Sequence, residues 1–493
     1  MTVRWGSGQA HGVLVATILG SGMAMLDGTI VNVALPRIGT ELGASVAGLQ
    51  WILDGYLLAL ASLILIAGSL GDRYGRRRVF TIGVVWFGVA SVLSGLAVST
   101  SMLVATRVLQ GVGGALLTPG SLAILETAFA REDRARAIGA WSGFGGLAAA
   151  VGPLVGGLLV QVWSWRLAFL INVPIAAACV FFTRRYVPES CDQREGQRPD
   201  VRAAALGALG LAGITAALVE APAQGAASPV VLVSAVLGVA GMAAFVRSQF
   251  TSADPLVPPS LFGNRSFTLA NGLTFVVYAA LGSVFWLLVL QLQVSLGYSP
   301  LVAGLASLPV TVIMLVGSSR SGALAQRVGP RTQLVIGPLL IAGGMLLMLR
   351  IAPGASYVGV VLPAVIVFGL GLVTVVAPVT ATVLAAAPDR NAGVASGVNN
   401  AIARAGGLLA IAVLPAIAGL TGESYADPAA LTAGWRVSLL VCAVLAIIGG
   451  LLGSGVRNDV LGKRKEPTPP AARPAESLHC GVASPPTHLR ATR

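Results

Sequence analysis

The sequence predicts an all-α polytopic membrane protein with about fourteen transmembrane helices, and three observations carry that expectation. Of 493 residues, 55% are hydrophobic and only 10% charged, with a mean hydropathy of +0.84; soluble chains carry about 25% charged residues. Apolar runs of about 18–25 residues recur along the chain, each long enough to cross a bilayer core. The charge is also placed by side. Most of the 32 Lys and Arg fall in alternate loops and tails; Arg37, Arg166, Arg350 and Arg436 lie in the intervening loops, and Arg107 and Arg404 inside spans. The net charge of +13 is therefore read as facing cytoplasm and anionic lipid, not nucleic acid. Both termini are expected in the cytoplasm.

The expected spans are 13–35, 50–71, 79–98, 102–124, 136–160, 167–183, 203–220, 229–248, 268–292, 299–318, 333–351, 357–384, 393–420 and 435–455. The first has no small-residue cleavage site and reads as a retained helix. The segment 184–202, rich in charge and proline, reads as a cytoplasmic linker. The tail 456–493 is Pro-rich, polar and basic, a composition that does not fold alone. Cys179, Cys191, Cys442 and Cys480 match no metal or redox spacing, and the three histidines are unpaired. No Gly-rich loop ends in Lys-Ser/Thr, so ATP is not expected, and no cofactor or metal is either. Basic residues are nearly all Arg, which with abundant Ala and Gly points to a high-GC bacterial source.

The turn between the second and third spans, GSLGDRYGRR, packs Gly68, Asp72, Arg73, Gly75, Arg76 and Arg77 into ten residues. Glycines there allow a tight turn or close approach. The arginines anchor one side, and Asp72 is placed to pair with them or to face a helix N-terminus. A degenerate copy follows in Gly322, Gln326, Arg327, Gly329 and Arg331, and Trp165-Arg166 is echoed by Trp435-Arg436. The repeat divides the chain into a six-helix bundle over 13–183, two inserted helices over 203–248 and a second six-helix bundle over 268–455.

Polar groups inside spans are costly and mark function by default. Asp27 lies in the first span within Leu26 to Pro36, a string that also holds Asn32. Burial disfavours a carboxylate's charged form, which suits a group that takes and releases a proton. Arg107, with Gln110 one turn on, is placed either to snorkel or to face Asp27. Asp54 in the second span is a further carboxylate, either proton-carrying or interfacial. The fifth span carries Gly152-Pro153 and Gly156-Gly157, small residues for close helix contact around a kinking proline. Asn399, Asn400 and Arg404 in the thirteenth span read as a polar cavity wall, although Arg404 is also within snorkelling reach of the inner end. Tyr278, with Phe275, Phe285 and Trp286 on the ninth span, reads as cavity lining or as packing.

These motifs resemble those of the major facilitator superfamily, and within it the fourteen-helix drug:proton antiporters of the EmrB/QacA type. The Gly68–Arg77 turn is similar to the family's loop 2–3 signature, the Asp27 string to the subfamily's helix 1, and Arg107-Gln110-Gly111 to helix 4 of proton-coupled members. The GP-x-x-GG core resembles the antiporter signature, with Ala148 where a glycine is usual. The resemblance implies a major facilitator fold in a bacterial inner membrane. It implies a monomer, not an enzyme, that exchanges protons for a small hydrophobic drug or antibiotic by alternating access and draws on the proton-motive force. Asp27, Arg107 and Asp54 would couple protons; the turn and the glycine core would gate; Asn32, Gln110, Tyr278, Asn400 and Arg404 would line the cavity. Relatives that export dications often carry an acid in helix 13, absent here, so monocationic, neutral or anionic compounds are favoured. The alternatives are a proton-coupled uptake symporter of the same fold and a non-transporting membrane sensor.

Overall fold

Serine residues set where many of the helices begin. In the computed structural model, which describes residues 3–130, 133–191, 200–253, 255–388, 391–420 and 427–461, the side chains of Ser7, Ser45, Ser99, Ser228 and Ser299 each accept from the N–H three residues on. Asp427 caps Ala429 and Ala430 in the same way, ahead of Pro428 at the first helical position. These caps satisfy N–H groups that the apolar runs leave orphaned, so helices start before the spans do.

The helices are α1 (Gly8–Leu42), α2 (Val46–Tyr74), α3 (Arg76–Gly95), α4 (Thr100–Ala128), α5 (Arg134–Val162), α6 (Leu167–Tyr186), α7 (Val201–Gln224), α8 (Pro229–Thr251), α9 (Arg265–Ser295), α10 (Pro300–Val328), α11 (Arg331–Met348), α12 (Tyr357–Ala386), α13 (Ala392–Ile417) and α14 (Pro428–Ser454). Among the described residues, 13 of them are long and apolar enough to cross a membrane. The remaining expected span falls in α5, whose described apolar stretch is Val151–Val162. No β-strand is present among the described residues, only a single bridge between Val3 and Phe129. The tail beyond 461 and residues 192–199 of the linker lie outside the described residues.

Packing follows the repeat. α1 lies on α5 and α6, and α2 and α3 lie on α4; α9 lies on α13 and α14, and α12 on α10 and α11. Between them α7 and α8 form a pair whose backbones touch. A Cβ at Gly213 would sit 2.6 Å from the Gly238 Cα, the small-residue contact that holds helices together where lipid removes the hydrophobic drive. α7 docks on α2 and α13, and Trp51 Nε1 donates to Glu220 Oε1 at 2.8 Å across that junction.

The apolar core is continuous between the two sets of helices at one end only. Leu35, Leu49, Ile52 and Trp165 join Trp286 and Trp435 in one cluster, whereas Val13, Phe80, Phe87 and Phe129, nearer the Gly68–Arg77 turn, form a separate one. Among the described residues, every hydrogen bond between α1–α6 and α9–α14 lies at the end away from the turn. Gln50 Nε2 donates to the Ile411 and Ala412 carbonyls at 2.7 and 3.2 Å, and Gln293 Nε2 to the Val33 carbonyl at 3.1 Å.

Candidate functional site

Arg107, Gln110, Gly111 and Gly114 recur at helical spacing and so share one face of α4. That face meets Asp27 of α1 inside the protein. Asp27 is fully buried and Arg107 is 1% exposed. Arg107 Nη1 donates to Asp27 Oδ2 at 2.5 Å and to Gln110 Oε1 at 2.7 Å, while its Nε donates to the Ile52 carbonyl at 3.0 Å. Gln110 Nε2 donates to Asp27 Oδ1 at 2.7 Å and to Ser91 Oγ at 2.9 Å. Arg107 therefore points inward rather than snorkelling, with its guanidinium 4.3 Å from the Tyr56 ring centre. Gly111 makes room for this: a Cβ there would meet Ala59 Cβ at 2.8 Å and the Tyr56 carbonyl.

A third donor comes from a residue of the sixth span that sequence reasoning did not single out. α6 is broken at Ile171, with helix over Leu167–Leu170 and again over Asn172–Tyr186. The break aims Asn172 inward, and its Nδ2 donates to Asp27 Oδ1 at 3.1 Å and to Ser91 Oγ at 3.3 Å. Asn172 Oδ1 is buried without a partner. The signal was a lone amide in an apolar stretch two residues before Pro174. Asp27 thus accepts three bonds, two at Oδ1 and one at Oδ2, which leaves Oδ2 the oxygen with capacity for a proton. A proton there would compete with Arg107 for the same atom.

Asp54 is also fully buried, yet neither of its oxygens has a hydrogen-bond partner. It lies one helical turn from Gln50, on the face of α2 that Gln50 turns to α13. The structure therefore does not bring Asp54 into the Asp27 cluster; it sits by the seam between the two sets of helices.

The glycine core of α5 touches both sets. A Cβ at Gly152 would collide with Thr29 Oγ1 of α1, and one at Gly156 would lie 3.0 Å from Ile30 Cγ2. Gly157 and Pro153 face α10 instead: a Cβ at Gly157 would lie 2.6 Å from the Leu301 Cα, and one at Gly304 would meet the Pro153 carbonyl. The side chains of 145–150 lie outside the described residues, Ala148 among them.

At the turn, Asp72 pairs with Arg76, whose Nε and Nη2 donate to Asp72 Oδ1 at 2.8 and 2.6 Å. Gly75 has φ 102°, a conformation that side chains resist, and a Cβ there would lie 2.8 Å from the Glu189 carboxyl. Glu189, from the strap after α6, accepts from the Arg77 N–H at 3.0 Å and stands 3.6 Å from Arg77 Nε. Arg73 lies over Tyr74, 5.5 Å from the ring centre. A Cβ at Gly68 would lie 4.0 Å from Pro119 Cβ of α4. The second turn repeats this arrangement with neutral parts. Gly329 has φ 85°, and Asn458 after α14 accepts from the Arg331 N–H at 3.2 Å and donates to the Val328 carbonyl at 2.9 Å. Neither Glu189 nor Asn458 was evident from sequence.

In the second set, Asn399 Nδ2 donates to Asn271 Oδ1 at 3.0 Å and Thr274 Oγ1 at 2.9 Å. Asn400 is exposed and bonds only the Ser396 carbonyl; Asn32 is half-buried and bonds the Gly28 carbonyl; Tyr278 and Arg404 are half-buried. Trp286 is buried in the core and Phe285 packs edge-on against Phe368, so those two aromatics serve packing. Among the described residues no group of three His, Cys, Asp or Glu is arranged to hold a metal.

The profile of the Major Facilitator Superfamily matches residues 17–411. The puromycin resistance protein pur8 of Streptomyces alboniger is 36% identical over 463 residues, covering 91% of this chain and 90% of that protein. The tetracenomycin C resistance and export protein of Streptomyces glaucescens is 36% identical over 85% of this chain and 78% of its own. The methylenomycin A resistance protein of Bacillus subtilis (strain 168) is 33% identical over 84% and 89%. Among solved structures, a D-xylose-proton symporter superposes with a TM-score of 0.65 over 91% of this chain and 98% of its own, at 15% identity. A sulfate-bound peptide transporter does so with a TM-score of 0.68 over 92% and 95%, at 13% identity. At such identities the two structures speak to the fold alone.

Proposed function

The chain belongs to the major facilitator superfamily, and from that premise we propose that it is a proton-coupled exporter of small hydrophobic compounds, of the fourteen-helix drug:proton antiporter type. The observation that carries the reading is Asp27, fully buried in α1 and held by Arg107, Gln110 and Asn172. The resistance and export roles in the names of the relatives support the outward direction.

The Gly68–Arg77 turn and both termini face the cytoplasm on this reading, as the placement of Arg and Lys favours. The seam is then closed toward the outside by Gln50, Gln293 and the α5–α10 glycine contact, and substrate enters from within. When the outer side opens, a proton reaches Asp27 and takes up the oxygen that Arg107 holds. The guanidinium is left without its counter-charge, and a buried cation in that condition is unstable by several kcal/mol. Relief comes from moving α4 against α1, which transmits protonation to the seam. Release of the proton inward restores the pair. The Asp72–Arg76 pair and Glu189 hold the turn in one of the two states. Alternating access runs between α1–α6 and α9–α14, with α7 and α8 as an inserted pair. The protein works as a monomer in the inner membrane, needs no cofactor beyond the proton-motive force and performs no covalent chemistry.

The test uses inside-out vesicles with an acid interior and a pH-sensitive dye. A panel of hydrophobic antibiotics should release protons from vesicles holding the protein and not from empty ones. Substrate-driven proton movement in the opposite sense would make the protein an uptake symporter, and no movement with any compound would remove the coupled-transport reading.

A further inference from the structure

Arg404 is the thirteenth residue of the 26 in α13, at its middle, yet among the described residues it makes no hydrogen bond or ion pair. It is half-buried on α13, which packs against both α2 and α9; a Cβ at Gly407, three residues on, would lie 3.8 Å from the Tyr278 carbonyl oxygen. A guanidinium at that depth costs several kcal/mol unless a counter-charge or water meets it. Two carboxyls lie within the helices nearby. Asp27 is engaged by Arg107 at 2.5 Å. Asp54 bonds nothing and sits nearer the closed end, level with the turn of α13 that precedes Ile411. Neither carboxyl pairs with Arg404, so among the described residues its charge has no counter-ion in contact.

The surroundings of Arg404 suit an amphipathic anion. Asn400, one turn earlier on the same face, is exposed and spends one N–H on the Ser396 carbonyl, leaving the other free. Tyr278, half-buried on α9, brings an aromatic face with a polar edge. We propose that Arg404 is the substrate's counter-ion, and that the transported class is hydrophobic aromatic monoanions carrying an ionised carboxyl, phenol or enol. Guanidinium and carboxylate form charge-assisted hydrogen bonds, with the Tyr278 ring against the aromatic body. The protein then exports an anion against a proton, and Arg404 discriminates against cations by repulsion. This inference rests on the exporter reading for its direction but not for its site.

The test is equilibrium binding to the full-length protein in nanodiscs, with empty nanodiscs subtracted. Two fluorescent probes share one aromatic body, anthracene-9-carboxylate and its uncharged primary amide. The wild type should bind the carboxylate at least about tenfold more tightly than the amide, the range of one charge-assisted hydrogen bond. Arg404→Gln should erase that difference. Arg404→Lys, which keeps the charge, should retain part of the preference and guards against a folding defect. Equal binding of the two probes by the wild type overturns the proposal, as does a preference that survives in Arg404→Gln. Binding is read without proton movement. An anion preference without antiport would therefore leave this site standing and fail the exporter reading, and antiport without the preference would do the reverse.

Discussion

In the first six helices the buried cation Arg107 has a carboxylate at 2.5 Å, a glutamine amide at 2.7 Å and a tyrosine ring at 4.3 Å. In the last six, Arg404 has no ion pair among the described residues, and the nearby polar network of Asn271, Thr274 and Asn399 is neutral. The two sets share a repeat and a packing plan, so the difference lies in chemistry. One half pairs its buried cation internally with Asp27, which is what reversible protonation needs. The other leaves a charge open to whatever enters from solution. The two turns differ in the same direction: Glu189 closes the first as an ion, Asn458 the second as an amide.

The comparison breaks most visibly on removing each arginine. Arg107→Leu strands the Asp27 carboxylate and should destabilise the protein by about 3–5 kcal/mol, read as a large fall in the unfolding temperature in detergent. Arg404→Leu removes an uncompensated cation and should leave that temperature level or raise it. A comparable fall in both would mean that Arg404 has a structural partner after all.

Next in size is the α1–α5 contact. Gly152→Ala drives a methyl onto Thr29 Oγ1 and should cut transport about tenfold or more, since overpacking costs about 1–3 kcal/mol. Adding Thr29→Ala should restore part of the loss; no rescue would place the defect elsewhere in α5.

The smallest effect sharpens the contrast between turns. The Arg77–Glu189 pair is part-exposed, at 40% and 37%, so Glu189→Ala should cost about 1 kcal/mol or less, and less still at high salt. Asn458→Ala should show the same modest loss at every ionic strength. Unfolding temperatures at low and high salt decide between them.

How much of this was legible in the sequence depended on contrast. Asp27, Arg107 and Gln110 stood out because each is polar in an apolar run, and the three-residue spacing placed the latter two on one face. Spacing within a helix does not report which other helix turns toward it. Asn172 offered only a lone amide in an apolar stretch, because the helix interruption at Ile171 that aims it inward is not written in composition. Glu189 fell in a stretch whose charge read as a cytoplasmic linker, although its backbone partner is the N–H of Arg77, 112 residues away. Helix starts extended past the expected spans because hydropathy marks the lipid-facing length, whereas serine caps mark the hydrogen-bonded one. Asp54 read as either proton-carrying or interfacial, because one carboxylate near a span's end does not report what packs over it; the fold buries it fully.

The central claim is that Asp27, held by Arg107, carries the proton. The direct measurement is substrate-driven proton release from acid-interior inside-out vesicles containing wild type, Asp27→Asn or Asp54→Asn at matched protein levels, with substrate binding measured in parallel. The account predicts that Asp27→Asn binds substrate within a few-fold of wild type but releases no protons. Proton release by Asp27→Asn equal to wild type would contradict it, and loss in Asp54→Asn alone would move the coupling group to the α2–α13 seam.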